Sequence, residues 1–192
     1  PALWLAARGA VTLAITAPSS TAASSAGATA LDRLRWQRSL EIRDVVAIRR
    51  AVDLLAERDD VDRARLGYVG WSAGARAGAI LSGVEPRLHS LVLISGGSAP
   101  VSDFVQAAPG ELRPEVEETM SSIDPLRYIA RARPGSLLLQ DGRRDTVIPR
   151  KALQALIDAA PDGTEVRWYD AEHALGPVAY RDHMRWLEQH LG

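Results

Sequence analysis

Short apolar, β-branched runs alternate with longer amphipathic stretches along this chain, and that alternation constrains its fold more than any other feature. The runs predicted as strands are AVTLAIT (10–16), RLGYVGW (65–71), SLVLIS (90–95), SLLLQ (136–140) and EVRWY (165–169). Strands that alternate with crossover helices form a parallel sheet. The sequence therefore predicts an α/β fold, with a mostly parallel sheet and helices on both of its faces.

Helical spacing of apolar residues predicts helices over residues 39–58, 73–82, 150–160 and 178–191, and residues 1–8 have the pattern of a helix end. The stretch 98–133 is predicted as a broken helical excursion, because Pro100, Pro109, Pro114 and Pro125 interrupt it and Pro134 follows. The small, polar stretch 18–30 indicates a loop at the carboxyl end of the first strand, and a linker is the alternative.

Composition excludes several classes of function. The 192 residues fit a single domain, and 23 basic against 24 acidic residues give a net charge of -1, so neither a nucleic acid nor an anionic membrane is an expected partner. Apolar runs fall short of a membrane span, so we expect a soluble chain, with the cytoplasm slightly favoured. The chain has no cysteine, which excludes thiolate chemistry, and Pro1 indicates that the natural N-terminus is missing or processed.

The motif Gly70-Trp71-Ser72-Ala73-Gly74 reads G-x-S-x-G and lies between a predicted strand and a predicted helix. In that context the serine occupies a sharp turn, where small residues two positions away on either side are expected to prevent clashes. The turn would expose the Ser72 hydroxyl and aim the backbone N–H of Ala73 at an oxyanion. The alternative is an ordinary helix-capping serine.

A serine nucleophile needs a base, and His173 is the best of the four histidines because it follows the last predicted strand in a loop. His183 and His190 fall inside the last helix, and His89 lies beside the start of a strand. A surface-loop role is the alternative for His173.

The base in turn needs a carboxylate that fixes its tautomer, expected at the end of a strand between the serine and the histidine. Asp145 fits best, since it lies in the turn after strand 136–140. Asp141 and Asp170 are rivals: Asp141 is more easily explained by the Asp-Gly turn, and Asp170 is three residues from His173.

The chain order of Ser72, Asp145 and His173 differs from that of chymotrypsin-like and subtilisin-like proteins. With the strings GYVGWSAGAR, LLLQDGRRDTVIP and WYDAEHAL, the sequence resembles the α/β-hydrolase superfamily, and within it the small dienelactone-hydrolase-like and prolyl-oligopeptidase-like branch. Dienelactone hydrolases proper use a cysteine nucleophile. Ser72 in that position implies a serine esterase.

The resemblance also implies parts that this chain lacks. In the family, a loop after the third strand supplies a second oxyanion donor, and that strand lies between the strands predicted here at 10–16 and 65–71. We therefore expect residues 1–192 to be a single α/β-hydrolase domain without its N-terminal strands, truncated at the N-terminus, or one in which those two strands pair with each other.

Together these features predict a hydrolase of carboxylic esters that works through an acyl-enzyme on Ser72, with a small-molecule ester as its substrate. A non-catalytic ligand-binding protein of the same fold and a prolyl-oligopeptidase-like peptidase are the alternatives. No phosphate-binding glycine loop and no histidine pair at metal-ligand spacing occurs, so neither a cofactor nor a metal is expected. The sequence leaves the oligomeric state open.

Overall fold

Four parallel strands form one sheet in the computed structural model, which describes residues 2–22 and 29–192. They are β1 (Leu66–Trp71), β2 (Leu88–Ile94), β3 (Leu137–Gly142) and β4 (Glu165–Tyr169). Their spatial order is β1-β2-β3-β4, and all three neighbouring pairs are parallel. The carboxyl ends of the strands therefore meet at one edge of the sheet, where loops can bring distant residues together.

Helices connect the strands in the pattern that the sequence predicts. Before β1 lie α1 (Ala2–Ala6), α2 (Pro18–Thr21) and α3 (Ala30–Ala56), and α4 (Ala73–Val84) connects β1 to β2. Three short helices follow β2, namely α5 (Val101–Ala107), α6 (Arg113–Ser121) and α7 (Pro125–Ile129), which confirms the broken excursion. Two more, α8 (Arg150–Ala159) and α9 (Gly176–Leu191), flank β4.

Both faces of the sheet are covered, because alternate strand residues contribute to different cores. On one face, Leu91, Leu93 and Leu139 pack in a cluster with residues of α3, α4, α7 and α8. On the other face, Val92 and Leu138 pack against α9, whose buried residues there are Met184, Trp186 and Leu187. The predicted fold class, a parallel sheet between two layers of helices, is confirmed.

The strand predicted at 10–16 is wrong for the chain as described. The structure assigns no strand to this segment, and its side chains Val11, Leu13 and Ile15 are 37%, 46% and 41% exposed. A β-branched run becomes a strand only where another strand offers hydrogen bonds, and within residues 2–22 and 29–192 the strand paired with β1 is β2. The expected alternative, in which segment 10–16 pairs with β1, is therefore also wrong.

Helix α3 begins nine residues earlier than the predicted start at Ser39. Its first turn is closed by a capping box, in which the Thr29 hydroxyl accepts from the Asp32 N–H and the Asp32 carboxylate accepts from the Thr29 N–H. Of the predicted loop 18–30, residues 18–21 form α2, and residues 23–28 lie outside the described residues. None of the helices described is both long and apolar enough to span a membrane.

Candidate active site

Ser72 occupies the junction between β1 and α4 in a backbone conformation that non-glycine residues rarely adopt. Its φ is 54° and its ψ is -114°, while its N–H still donates to the Ile94 carbonyl of β2 at 2.8 Å. The chain thus leaves the sheet and enters the helix within a single residue. This sharp turn carries the Ser72 side chain beyond the carboxyl edge of the sheet.

The two glycines of the motif are not equally constrained. A Cβ on Gly70 would collide with the backbone carbonyl of Gly74, so only glycine fits there. A Cβ on Gly74 would meet nothing closer than the Tyr68 hydroxyl oxygen, at an ordinary 3.5 Å. The expected clash of a side chain is therefore confirmed at Gly70, whereas at Gly74 a methyl group fits.

His173 lies in the loop between β4 and α9, and its imidazole reaches Ser72. Its Nε2 is 2.9 Å from the Ser72 Oγ, and its Nδ1 is 2.8 Å from the Asp145 Oδ2. Because a carboxylate can only accept, Nδ1 carries the proton and Nε2 is free to accept the serine proton. The structure thus brings together the three side chains that the sequence singled out.

Asp145 is held by the turn that follows β3. Its Oδ1 accepts from the backbone N–H groups of Val147 at 2.8 Å and Ile148 at 2.9 Å, which leaves Oδ2 for the histidine. Its side chain is fully buried, whereas that of His173 is 14% exposed. Burial alone would raise the pKa of Asp145, but the hydrogen bonds from Ile148, His173 and Val147 outweigh it and lower that pKa. The carboxylate is therefore anionic at neutral pH.

The rival carboxylates have other partners. Asp170 is exposed and pairs with Arg144 at 3.3 Å. Asp141 is 2% exposed at the end of β3, and its burial, with a smaller contribution from the charge of Asp145, raises its pKa to about 7. The rival histidines also lie elsewhere, since the Nδ1 of His183 contacts Gln140 and that of His190 contacts the Trp186 carbonyl.

Ala73 is the first residue of α4, directly after Ser72. The first N–H groups of a helix have no intrahelical acceptor, and the positive end of the helix dipole lies at the same place. The Ala73 N–H is therefore available to an anion that forms beside Ser72. No group of three or more histidine, aspartate or glutamate residues within residues 2–22 and 29–192 is arranged to hold a metal ion.

Two residues near the histidine were not recognised from the sequence in this role. The Ser95 Oγ and the Trp71 Nε1 both donate to the backbone carbonyl of His173, at 2.9 and 3.1 Å. Ser95 follows an apolar strand, which gives no signal for such a contact. Trp71 adjoins Ser72 in the motif, and that position predicts a place beside a substrate pocket but not this hydrogen bond.

Arg76, one turn after Ser72, has a structural role. Its Nε pairs with the Glu41 carboxylate at 2.7 Å, and its Nη1 donates to the Ser98 hydroxyl at 3.0 Å. The guanidinium thereby connects α3, α4 and the segment after β2.

No model of a known protein family matches this chain, and no curated protein matches its sequence. Solved structures do match. An acetyl xylan esterase from Paenibacillus sp. R4 superposes with a TM-score of 0.66 at 20% identity, over 79% of this chain and 54% of that one. Acetyl xylan esterase 1 from Thermoanaerobacterium sp. JW/SL YS485 gives 0.68 at 18% identity, over 90% and 61%.

An esterase from Pyrococcus furiosus also matches, with a TM-score of 0.55 at 20% identity, over 78% of this chain and 63% of that one. This chain thus spans less than two thirds of the length of each of these three structures. At such identities the similarity establishes the fold, which is that of the α/β hydrolases.

Proposed function

We propose that this chain is a serine hydrolase of carboxylic esters, with Ser72 as nucleophile, His173 as general base and Asp145 as the group that orients the base. The observation that carries the proposal is the continuous hydrogen-bonded sequence from Asp145 Oδ2 through His173 to Ser72 Oγ, at 2.8 and 2.9 Å. The strained backbone of Ser72 supports it, because such strain concentrates at functional sites.

In this mechanism His173 Nε2 removes the Ser72 proton while Oγ attacks the ester carbonyl carbon. The Ala73 N–H donates to the resulting oxyanion, and the anionic Asp145 stabilises the imidazolium. The imidazolium then gives its proton to the leaving alkoxide, which departs as an alcohol. Water, deprotonated by the same nitrogen, attacks the acyl-enzyme and releases the carboxylic acid.

Among the described residues we identify one candidate donor to the oxyanion, the Ala73 N–H. Loss of one such donor costs about 2.7–4 kcal/mol, or roughly 100- to 1,000-fold in turnover. We therefore expect slow turnover of esters from this chain. Phosphonylation of Ser72 by a fluorophosphonate, which releases fluoride, needs less help from the oxyanion site because the reagent is already activated.

Two exposed apolar side chains border the site. Trp71 is 54% exposed and adjoins Ser72, and Val147 is 62% exposed and follows Asp145. They favour a small ester that rests on an open apolar surface. The names of two structural neighbours, both acetyl xylan esterases, make short acyl esters the first substrates to test.

The test is the intact mass of the chain after incubation with a fluorophosphonate, beside Ser72→Ala and the control Ser90→Ala, which removes a buried hydroxyl from β2. We expect one adduct on wild type and Ser90→Ala and none on Ser72→Ala. In a separate assay on unlabelled protein, we expect wild type to hydrolyse an aryl acetate slowly. Absence of an adduct on wild type would contradict the proposal and would favour the alternative, a non-catalytic ligand-binding protein of the same fold. Preference for prolyl peptides over esters would instead indicate a peptidase.

A further inference from the structure

Two side chains on neighbouring strands hold the main chain of His173. Trp71 ends β1, and Ser95 follows β2 directly; their Nε1–H and Oγ–H groups converge on the one His173 carbonyl oxygen, at 3.1 and 2.9 Å. The Trp71 ring also contacts the imidazole, with 5.0 Å between centroids and 47° between planes. The loop that carries the histidine is thus attached to both strands that flank Ser72.

We propose that Ser95 and Trp71 are positioning residues for the histidine: they fix the main chain of His173 so that its ring meets Ser72 and Asp145 at once. This inference rests on the proposed function, because the positioned ring is the proposed base. Neither side chain touches the proposed substrate carbonyl through these bonds, so both act through His173.

The backbone of Ser95 supports a specific need for its hydroxyl. Its φ is 51°, a left-handed conformation that favours glycine, and its side chain is completely buried. Its N–H donates to the Gln140 carbonyl of β3 at 2.8 Å, which fixes the residue in the sheet. A glycine would adopt this backbone without strain, but it could not donate to the His173 carbonyl.

The geometric requirement explains why such bonds matter. His173 must keep two hydrogen bonds of 2.8 and 2.9 Å on opposite sides of one ring, while its loop also follows β4. A displacement of about 1 Å at reacting atoms can cost roughly 100-fold in rate. The hydrogen bonds from Ser95 and Trp71 to one carbonyl oxygen therefore restrain the loop at His173 itself.

The test compares Ser95→Ala, Ser95→Gly and Trp71→Phe, with Ser90→Ala as the control. Alanine removes the hydroxyl and keeps the strain, glycine removes both, and phenylalanine removes the indole donor but keeps a ring. We expect fluorophosphonate labelling to slow by about 10- to 100-fold in both Ser95 variants. Aryl acetate hydrolysis should lose kcat with little change in KM. Wild-type rates in the folded glycine variant would overturn the proposal, as would equal loss in Ser90→Ala.

A second readout does not depend on activity. In ¹⁵N-histidine-labelled protein, the proton on His173 Nδ1 should give a resonance that is protected from exchange, assigned by its loss in Asp145→Asn. We expect that resonance to broaden or disappear in Ser95→Gly. An unchanged resonance, or none in wild type, would overturn the positioning role. If wild type showed the protected Nδ1–H resonance but formed no fluorophosphonate adduct, the proposed function would be contradicted and the positioning role would not.

Discussion

At the scale of single residues, Gly70 and Gly74 offer a matched pair. A Cβ at Gly70 would enter the backbone of the turn at Ser72, whereas Gly74 lies in a helix with room for one more carbon. We expect Gly70→Ala to lower the free energy of unfolding by about 1–3 kcal/mol and to slow fluorophosphonate labelling. We expect Gly74→Ala to raise the free energy of unfolding by about 0.5–1 kcal/mol, because alanine favours the helical conformation more than glycine does.

Urea unfolding of the two variants beside wild type checks this prediction. Equal stabilities for Gly70→Ala and Gly74→Ala would contradict the crowding that the structure shows at Gly70. The pair also shows what a motif encodes: two glycines look equivalent in G-x-S-x-G, but the path of the backbone through the turn crowds only one of them.

The three side chains of the candidate site could be predicted because each has a local signature. Ser72 stands in a motif between strand and helix, Asp145 follows a strand, and His173 follows another. Ser95 could not be predicted, because its role depends on a left-handed backbone and on a contact with residue 173, 78 positions away. Neither feature has a pattern in the sequence around it.

At the scale of elements, a buried polar network joins β3 to α9. The Gln140 amide nitrogen donates to the Tyr169 hydroxyl at 2.7 Å and to the Ala179 carbonyl at 3.0 Å, so its oxygen faces the His183 Nδ1 at 2.9 Å. His183 is 3% exposed, and among the residues described its Nε2 has no partner. Protonation would therefore place an unpaired N–H and a charge in the core.

This network predicts acid sensitivity. Burial lowers the pKa of His183 from 6.5 to about 4. The unfolded chain therefore takes up a proton at higher pH than the folded chain, and stability falls as pH drops from about 6.5 towards 4. We expect His183→Asn, which keeps a donor near Nδ1 but cannot titrate, to lose less stability over that range than wild type.

Chemical unfolding at several pH values between 4 and 7 measures this effect, with His190→Asn on the exposed end of α9 as the control. Parallel pH profiles for wild type and His183→Asn would show that the buried imidazole is not the cause.

Helices and strands were predicted well from the sequence where the periodicity of apolar residues was strong. The start of α3 was not, because the capping box at Thr29 stands in a small, polar stretch typical of a loop.

At the scale of the whole molecule, β1 is an edge strand of the sheet over the described residues, with β4 at the opposite edge and β2 and β3 between them. Sequence analysis predicted five strands and the structure contains four over the described residues, because strand formation at 10–16 depends on a partner that local pattern cannot supply. The backbone N–H groups of successive residues in a strand point to opposite sides. The Ser72 N–H points to β2, so the N–H groups of Val69 and Trp71, which lie an odd number of residues before it, point away from β2.

This alternation predicts a pattern of hydrogen exchange within one strand. Amides of Tyr68 and Gly70, which face β2, should be protected, and those of Val69 and Trp71 should exchange at least roughly tenfold faster because water reaches the open edge. On β2 no such alternation is expected, since Leu91 donates to the Ser136 carbonyl of the β3 side while its neighbours face β1. NMR-detected exchange at two protein concentrations tests this. Equal protection along β1 that weakens on dilution would show that a second copy covers the edge, and equal protection at both concentrations would contradict an open edge.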